Sequence, residues 1–351
     1  MTILGIETSC DETAAAVVAD GSAPLSSVVR SQIDIHRHFG GVVPEVAARN
    51  HLEVILPVID EALARAKTDW RGIDAIAVTR APGLIGSLLV GTITARALAI
   101  TKNKPLYGVH HVEGHVYANF LCHPQPAFPM LALIVSGGHT QLMLFEDHGR
   151  FELLGQTMDD AAGEAFDKVA KILGLPYPGG PSIAAAAIQG DAERYRLPIA
   201  KLRGSYDFSY SGLKTAVLRA VQAECGKLHD FPSHQLSGLL DDARRHDFAA
   251  SFQRAAVTSL VEATVRAWRD YSPASVVIAG GVAANSELRR QLKLALPLEL
   301  TYAPPELCTD NAAMIASLGY YRALYLPPDD PLELTATPSL SLQGAAWRPA
   351  K

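Results

Sequence analysis

The sequence predicts an α/β fold of two lobes, each built from a copy of one duplicated unit. Its first 20 residues place two short apolar runs around the polar turn at residues 9–12, which is typical of a β-hairpin. A second hairpin pattern, PMLALIVSGGHTQLMLFED, begins at residue 129. Helical and strand patterns alternate after each hairpin, so we expect mixed sheets in both lobes.

The N-terminal lobe is assigned to residues 1–128. Residues 44–66 predict an amphipathic helix, because apolar side chains recur there at helical spacing. DAIAVTRAPG and PLYGVHH predict short strands, and IGSLLVGTITARALAITK predicts a helix dense in Gly and Ala. The apolar positions of the first helix are Val46, Leu52, Ile55, Leu56, Ile59 and Leu63.

The C-terminal lobe is assigned to residues 129–325. GRFELLGQT predicts a third strand, and the helix predicted by DDAAGEAFDKVAKILG has the acidic first turn that a helix dipole favours. ASFQRAAVTSLVEATVRAWRDY predicts a long helix, SVVIAGGVAANSELRRQLKLAL a strand, turn and helix, and the lobe closes with a strand, a loop and a helix. Residues 326–351 predict an extended tail on the surface. We expect a ligand in the cleft between the lobes.

Composition excludes several classes of protein. A formal net charge of -5 argues against a free-standing nucleic-acid binder, so a polyanion would need a basic patch or a partner. The four cysteines are scattered and form no CxxC pair, which argues against a disulfide framework or a thiolate zinc site. No run of about 18 apolar residues and no basic leader is present, so we expect a cytoplasmic protein without a membrane segment.

A pair of histidines suggests a metal site. His111 and His115 stand four residues apart, which on a helix places both imidazoles on one face. Asp310 could supply a third ligand, although it could equally be a helix N-cap, and the histidines alone could be exposed or core residues. Glu113 lies two residues from each histidine, so neither HExxH nor HxxEH is present and a zinc peptidase is not predicted.

Three glycine-rich turns end predicted strands, at residues 136–140, 178–181 and 280–285. Glycine lets backbone N–H groups approach a phosphate, and three such turns together indicate a nucleotide site, whereas each alone could be a plain tight turn. Asp167 could accept hydrogen bonds from ribose hydroxyls. No GxxxxGK[ST] motif is present, which excludes a P-loop protein. Asp11 and Glu12 could be site carboxylates, although their spacing slightly favours a turn-forming role.

The motifs ETSCDET, PEVAARNH, HHVEGH, VSGGHTQL, DDAAGEAFDKVAKILGLPYPGGP, FSYSGLKT, GGVAANSELR and CTDNAAMIA resemble, in order, those of the TsaD family of tRNA threonylcarbamoyladenosine transferases, once named O-sialoglycoprotein endopeptidases. The resemblance runs from about residue 3 to about residue 320. It implies the ASKHA fold of actin, Hsp70 and sugar kinases, with duplicated RNase H-like units. It also implies transfer of threonylcarbamoyl from threonylcarbamoyl-AMP to N6 of the adenosine 3′ of the anticodon, in tRNAs reading ANN codons.

The resemblance also assigns residues. It implies one divalent metal ion per subunit, Fe²⁺ before Zn²⁺, held by His111, His115 and Asp310. Asp11 matches the acid at the hairpin tip and is expected to act on the attacking amine. The implied nucleotide and substrate contacts are Ile134, Val135, Ser136, Gly137, Gly138, Asp167, Gly180 and Asn285.

The implied partners are tRNA, a TsaB-like paralogue and a TsaE-like ATPase. Two alternatives remain: an ATP-dependent kinase or ATPase of the same fold, and a non-catalytic scaffold like the paralogue. Histidine ligands are unusual for Mg²⁺, which disfavours the kinase, and the retained His111, His115 and Asp310 disfavour the scaffold. Residues 221–250 are longer and more polar than we expect for the family, and no catalytic residue is assigned there.

Overall fold

The computed structural model describes residues 1–200, 202, 206–343 and 347. The strands, in chain order, are β1 (Thr2–Glu7), β2 (Glu12–Ala19), β3 (Ala23–Ser31), β4 (Ala75–Ala81), β5 (Leu106–His110), β6 (Met130–Val135), β7 (Thr140–Asp147), β8 (Arg150–Gln156), β9 (Ser275–Ala279) and β10 (Leu300–Tyr302). The helices are α1 (Ile33–Arg37), α2 (Pro44–Arg65), α3 (Ile85–Lys102), α4 (His111–Tyr117), α5 (Ala162–Leu173), α6 (Gly179–Ala187), α7 (Ser211–Glu224), α8 (Asp242–Tyr271), α9 (Ser286–Ala295), α10 (Pro305–Cys308) and α11 (Ala312–Tyr325).

The chain divides into two compact units. The first comprises Met1–Phe128, Phe145–Glu152 and Thr301–Lys351, and the second comprises Pro129–Leu144 and Leu153–Leu300. Residues 301–325 therefore lie in the first unit, whereas the sequence pattern groups them with the second lobe. The physical reason is tertiary packing: α11 lies against β1, β2 and β4.

The first unit contains a five-stranded sheet in the order β3-β2-β1-β4-β5. β1 is antiparallel to β2 and parallel to β4, and β4 is parallel to β5. The hairpin and both later strands are confirmed, but the sequence pattern does not predict β3. This edge strand buries only Ser26 and Val28, so it lacks the apolar alternation by which a strand is usually identified.

Helix α2 is confirmed, but part of its predicted apolar face is wrong. Its buried stripe includes Ile55, Ile59 and Leu63, whereas Leu52 and Leu56 are 70% and 56% exposed. His51 and Ile55 belong to this buried stripe. Leu52 and Leu56 each follow one of them by one residue, which rotates the side chain by about 100° around the helix axis. The two leucines therefore point away from the sheet.

Helix α11 packs closely against the sheet of the first unit because a glycine lies on each side of the contact. A Cβ on Gly5 of β1 would collide with the backbone of Ala312, and a Cβ on Gly319 would collide with Ala77 of β4. This contact brings the chain segment that starts α11 next to the strand ends of the first unit.

By length and composition alone, helix α3 is long and apolar enough to cross a membrane. It packs against β4 and α2, however, and core helices of soluble proteins can have the same length and composition. The finding is weak evidence for a membrane span.

The second unit is built on the sheet β10-β9-β6-β7-β8, in which β6 and β9 are parallel. The predicted hairpin, third strand and helix α5 are confirmed. Helix α8 begins at Asp242, earlier than predicted, because Asp241 caps it by accepting a hydrogen bond from the Arg244 N–H. A polar loop joins α7 to α8. Gln222 of α7 stabilises this loop by donating to the backbone carbonyls of His229 and Phe231, at 3.2 and 3.0 Å.

Candidate metal centre and nucleotide-binding turns

His111, His115 and Asp310 converge in the first unit. The histidines lie one turn apart on α4, and Asp310 lies between α10 and α11. Asp310 Oδ1 is 3.5 Å from His111 Nε2 and 3.3 Å from His115 Nε2. One ligand atom from each residue fits within 4.8 Å of the others, close enough to share one ion.

Asp310 is not the cap of α11. That role belongs to Asn311, whose Oδ1 accepts from the Met314 N–H at 3.0 Å. The N-cap interpretation of Asp310 is therefore wrong, and its carboxylate is available to the histidines.

The three residues fit a divalent metal. His115 is buried; its Nδ1 has no hydrogen-bond partner within the described part of the chain, and its Nε2 faces Asp310 Oδ1. Burial alone would raise the pKa of Asp310, but His111 and His115 outweigh it and hold the pKa well below the usual carboxyl range. Burial would lower the pKa of His111, and here Asp310 and Glu7 raise it well above its ordinary value. A site of two histidines and one carboxylate that leaves other coordination positions open is typical of Fe²⁺, and Zn²⁺ also binds such ligands.

Two side chains, those of His51 and Ser87, contact the backbone of the turn that carries Asp11. The Cys10 carbonyl is 2.9 Å from His51 Nε2 and accepts from the Ser87 hydroxyl at 3.2 Å. Asp11 itself is largely buried, with 9% of its surface exposed. Burial, Asp310 and Asp11 together raise the pKa of Glu12 to about 9, so Glu12 is protonated at neutral pH.

Two residues beside the candidate metal ligands, Glu7 and Ser9, are not predicted by residue spacing. Glu7, at the end of β1, is fully buried, and its Oε2 is 3.0 Å from His111 Nδ1. The Ser9 hydroxyl is 3.1 Å from the same nitrogen. Burial would raise the pKa of Glu7, but His111 outweighs it and lowers the pKa. The available signal is a carboxylate that ends an otherwise apolar strand.

Glu113 and His110 contact the C-terminal tail. Glu113 Oε1 accepts from the Trp347 indole N–H at 2.7 Å, and His110 Nε2 is 3.0 Å from the Leu340 carbonyl. Burial raises the pKa of Glu113 to about 7. The Glu113 carboxylate is therefore engaged by Trp347, whereas the histidine side chains face Asp310.

In the second unit, the turn after β6 carries unused backbone donors. Ile134 and Val135 are buried at the end of β6. The Ser136 N–H donates to the His139 carbonyl at 2.8 Å, whereas the N–H groups of Gly137 and Gly138 have no partner among the described residues. Exposed, adjacent N–H groups of this kind can bind an anion.

The glycines of these turns fall into two classes. A Cβ on Gly163 or Gly280 would lie 2.5 Å from the carbonyl oxygen of Ser136 or Val135, so packing requires both glycines. A different set of glycines has no positive φ, and an added Cβ there would meet nothing within 4 Å; these are Gly137, Gly138, Gly180 and Gly281. The protein alone does not explain their lack of a side chain, which fits the approach of a ligand.

Asp167 and Asn285 already have partners in the second unit. Asp167 Oδ1 accepts from the Gly179 N–H at 2.6 Å, next to Gly180, and burial raises its pKa. Asn285 caps α9 by accepting from the Leu288 N–H at 3.0 Å, and its amide donates to Gln253 at 2.8 Å. Helix α5 thus contacts the turn after β6 through Gly163 and the start of α6 through Asp167. The prediction that residues 178–181 end a strand is wrong, because Pro178 caps α6 and Gly179 begins it.

Comparison with known proteins agrees with this architecture. The component A of (R)-2-hydroxyglutaryl-CoA dehydratase from Acidaminococcus fermentans superposes with a TM-score of 0.51 at 15% identity, covering 92% of this chain and 99% of the other. HypF of T. kodakarensis superposes with a TM-score of 0.59 at 14% identity, covering 94% of this chain and 48% of the other. These likenesses support the fold alone, and the ASKHA prediction is confirmed.

The sequence comparisons identify the family. The family described as "TsaD: tRNA N6-adenosine threonylcarbamoyltransferase" matches residues 24–317. The tRNA N6-adenosine threonylcarbamoyltransferase of Symbiobacterium thermophilum is 55% identical over 343 residues, which cover 97% of this chain and 96% of that protein. The chain therefore belongs to the tRNA N6-adenosine threonylcarbamoyltransferase (TsaD) family.

Proposed function

We propose that this protein transfers threonylcarbamoyl from threonylcarbamoyl-AMP to N6 of the adenosine 3′ of the anticodon in tRNAs reading ANN codons. The observation that carries the proposal is the convergence of His111, His115 and Asp310 in a chain that matches the family over residues 24–317. The kinase alternative has no comparable support, because two of these three ligands are imidazoles and Mg²⁺ prefers oxygen.

The reaction needs an activated donor because the adenine amine is a poor nucleophile, its lone pair being delocalised into the ring. N6 attacks the carbamoyl carbon, the bond from that carbon to the phosphate oxygen breaks, and AMP leaves with the electron pair. When bound, a divalent ion held by His111, His115 and Asp310 supplies Lewis acidity toward carbonyl or phosphoryl oxygens.

Asp11 is our candidate to accept the proton that N6 loses. Its neighbour Glu12 has a pKa raised to about 9 in the metal-free protein by burial, Asp310 and Asp11. Asp11→Asn should lower the single-turnover rate by roughly 10²–10⁴-fold, the range for a general base. An unchanged rate would remove Asp11 from this role.

The turns of the second unit are proposed to hold the nucleotide. The N–H groups of Gly137 and Gly138 suit the phosphate, and Asp167, Gly180 and Asn285 suit the nucleoside. Ile134 and Val135 would support the turn from the buried end of β6.

The TsaB-like partner is proposed to bind the apolar surface of α2 and α3. These helices pack together and expose apolar side chains at four-residue intervals. The set consists of Leu52 (70% exposed), Leu56 (56%), Ile85 (49%), Leu89 (41%) and Ile93 (56%). A paralogue of the same fold would present an equivalent helix pair. Leu56→Lys should prevent the heterodimer on gel filtration, while the exposed Leu294→Lys of α9 should not.

Reconstitution tests the function. The protein, its TsaB-like and TsaE-like partners, threonylcarbamoyl-AMP and unmodified tRNA are incubated, and the tRNA nucleosides are analysed by mass spectrometry. We expect threonylcarbamoyladenosine with wild type and none with His115→Ala. Absence of the modified nucleoside from metal-loaded wild type with intact partners would contradict the proposal and restore the kinase alternative. Because tRNA is the substrate, we infer a cytoplasmic location.

A further inference from the structure

We propose that Glu7 is the positioning residue of the metal centre: its carboxylate binds the Nδ1–H of His111, so that His111 Nε2 keeps its lone pair for the ion. This inference rests on the proposed metal site, but it concerns a residue outside the ligand set.

Glu7 is placed where its carboxylate can act only as an acceptor. Its Oε2 lies 3.0 Å from His111 Nδ1 and accepts from the Thr79 hydroxyl at 2.5 Å, while Oε1 accepts from the Ser9 N–H at 2.5 Å. An ionised carboxylate has no hydrogen to give. We therefore assign the hydrogen to Nδ1, the nitrogen that faces this carboxylate, and Nε2 is the nitrogen directed at Asp310.

The arrangement is specific to one of the two histidines. His115 Nδ1 is buried and has no hydrogen-bond partner within the described ranges, so no carboxylate contacts that ring on the side away from Asp310. His111 is instead approached at Nδ1 by both Glu7 and the Ser9 hydroxyl. Removal of the Glu7 charge should therefore affect metal binding through His111.

A purely structural role for Glu7 would give a different pattern. Glu7 also joins β1 to β4 through Thr79, so it could simply compensate its own burial. Thr79→Val removes that hydroxyl at nearly constant volume and leaves the contact with His111 in place. It is thus the matched control for damage to this part of the core.

The test is the affinity of Zn²⁺ and Co²⁺ for the metal-free full-length protein, measured by competition with a chelator. We expect Glu7→Gln to weaken both affinities by about 10–100-fold, the range found when an outer-shell partner is lost. Thr79→Val should stay within about threefold of wild type. Equal affinities for Glu7→Gln and wild type, or equal losses in both variants, would overturn the proposal.

A second measurement covers the case in which Glu7→Gln does not fold. Histidine-selective ¹⁵N labelling of the Zn²⁺-loaded wild type, with His111 assigned from the spectrum of His111→Asn, reports which ring nitrogen carries hydrogen. A protonated Nδ1 supports the proposal, and a protonated Nε2 overturns it. Both measurements are independent of tRNA modification. A protein that binds metal as described but makes no modified nucleoside would refute the proposed function and leave the role of Glu7 intact.

Discussion

Trp347 donates its indole N–H to Glu113 at 2.7 Å, and so joins the C-terminal tail to the helix that carries His111 and His115. Both side chains are buried, at 4% and 0% exposure. The indole also makes a cation–π contact with Arg322, whose guanidinium lies 5.7 Å from the ring centroid. The tail is therefore a structural part of the first unit.

Trp347→Phe should destabilise the protein. The change keeps an aromatic ring but removes the donor, leaving Glu113 Oε1 buried and unpaired beside Oε2, which already lacks a partner among the residues that the structure describes. We expect the free energy of unfolding in urea to fall by about 1–3 kcal/mol. Glu113→Leu combined with Trp347→Phe is the control, because replacing both partners with apolar groups should recover much of the loss. A single variant within about 0.5 kcal/mol of wild type would contradict the interpretation.

Glu113 should also make stability depend on pH. Burial raises its pKa from 4.5 to about 7, so between these values the folded protein binds a proton that the unfolded chain releases. The free energy of unfolding of the metal-free protein should therefore decrease as pH rises through this window, by at most about 3 kcal/mol. Urea unfolding across the window should show a shallower decrease in Glu113→Gln. Parallel curves for the two proteins would refute the prediction.

Residue spacing predicts the histidine pair better than it predicts Asp310 or Glu7. The spacing of His111 and His115 placed both imidazoles on one face of a helix, and that face does bear on Asp310. The local motif made Asp310 a candidate third ligand but left a helix N-cap open, because its position depends on α11 packing against β1 across Gly5. Glu7 illustrates the limit: its partners come from β4 and α4, and no spacing within β1 points to them.

Helix α2 shows the same limit in the fold. The apolar positions were correct as a helical pattern, yet the pattern could not distinguish side chains that face the sheet from Leu52 and Leu56, which remain exposed. Edge strand β3 was missed for the opposite reason, because a strand that buries little has a polar sequence. Both differences arise at surfaces, where burial no longer constrains the residue type.

Metal binding should stabilise the folded protein through Asp310. A ligand that binds only the folded state adds about 2.7 kcal/mol at a concentration 100-fold above its Kd. We expect Zn²⁺ to raise the melting temperature of wild type and a chelator to reverse the shift, while Asp310→Asn shows little response. His110→Asn is the matched control, since His110 precedes the first ligand and contacts the Leu340 carbonyl instead. An equal shift in Asp310→Asn would exclude Asp310 from the ligand set.

Gly137 and Gly163 offer a direct test of the proposal that the glycine-rich turns bind a nucleotide. A Cβ on Gly137 meets no atom within 4 Å, so Gly137→Ala should unfold like wild type, whereas a Cβ on Gly163 would lie 2.5 Å from the Ser136 oxygen and should destabilise the fold. If the Gly137 N–H approaches the phosphate, the added methyl group should weaken AMP binding, measured by calorimetry, without loss of stability. Gly212→Ala, at another position with open space, is the control for adding a methyl group to an open glycine position and should leave AMP affinity unchanged. Unaltered affinity in Gly137→Ala would mean that phosphate does not approach this turn, and that its glycine must have another explanation.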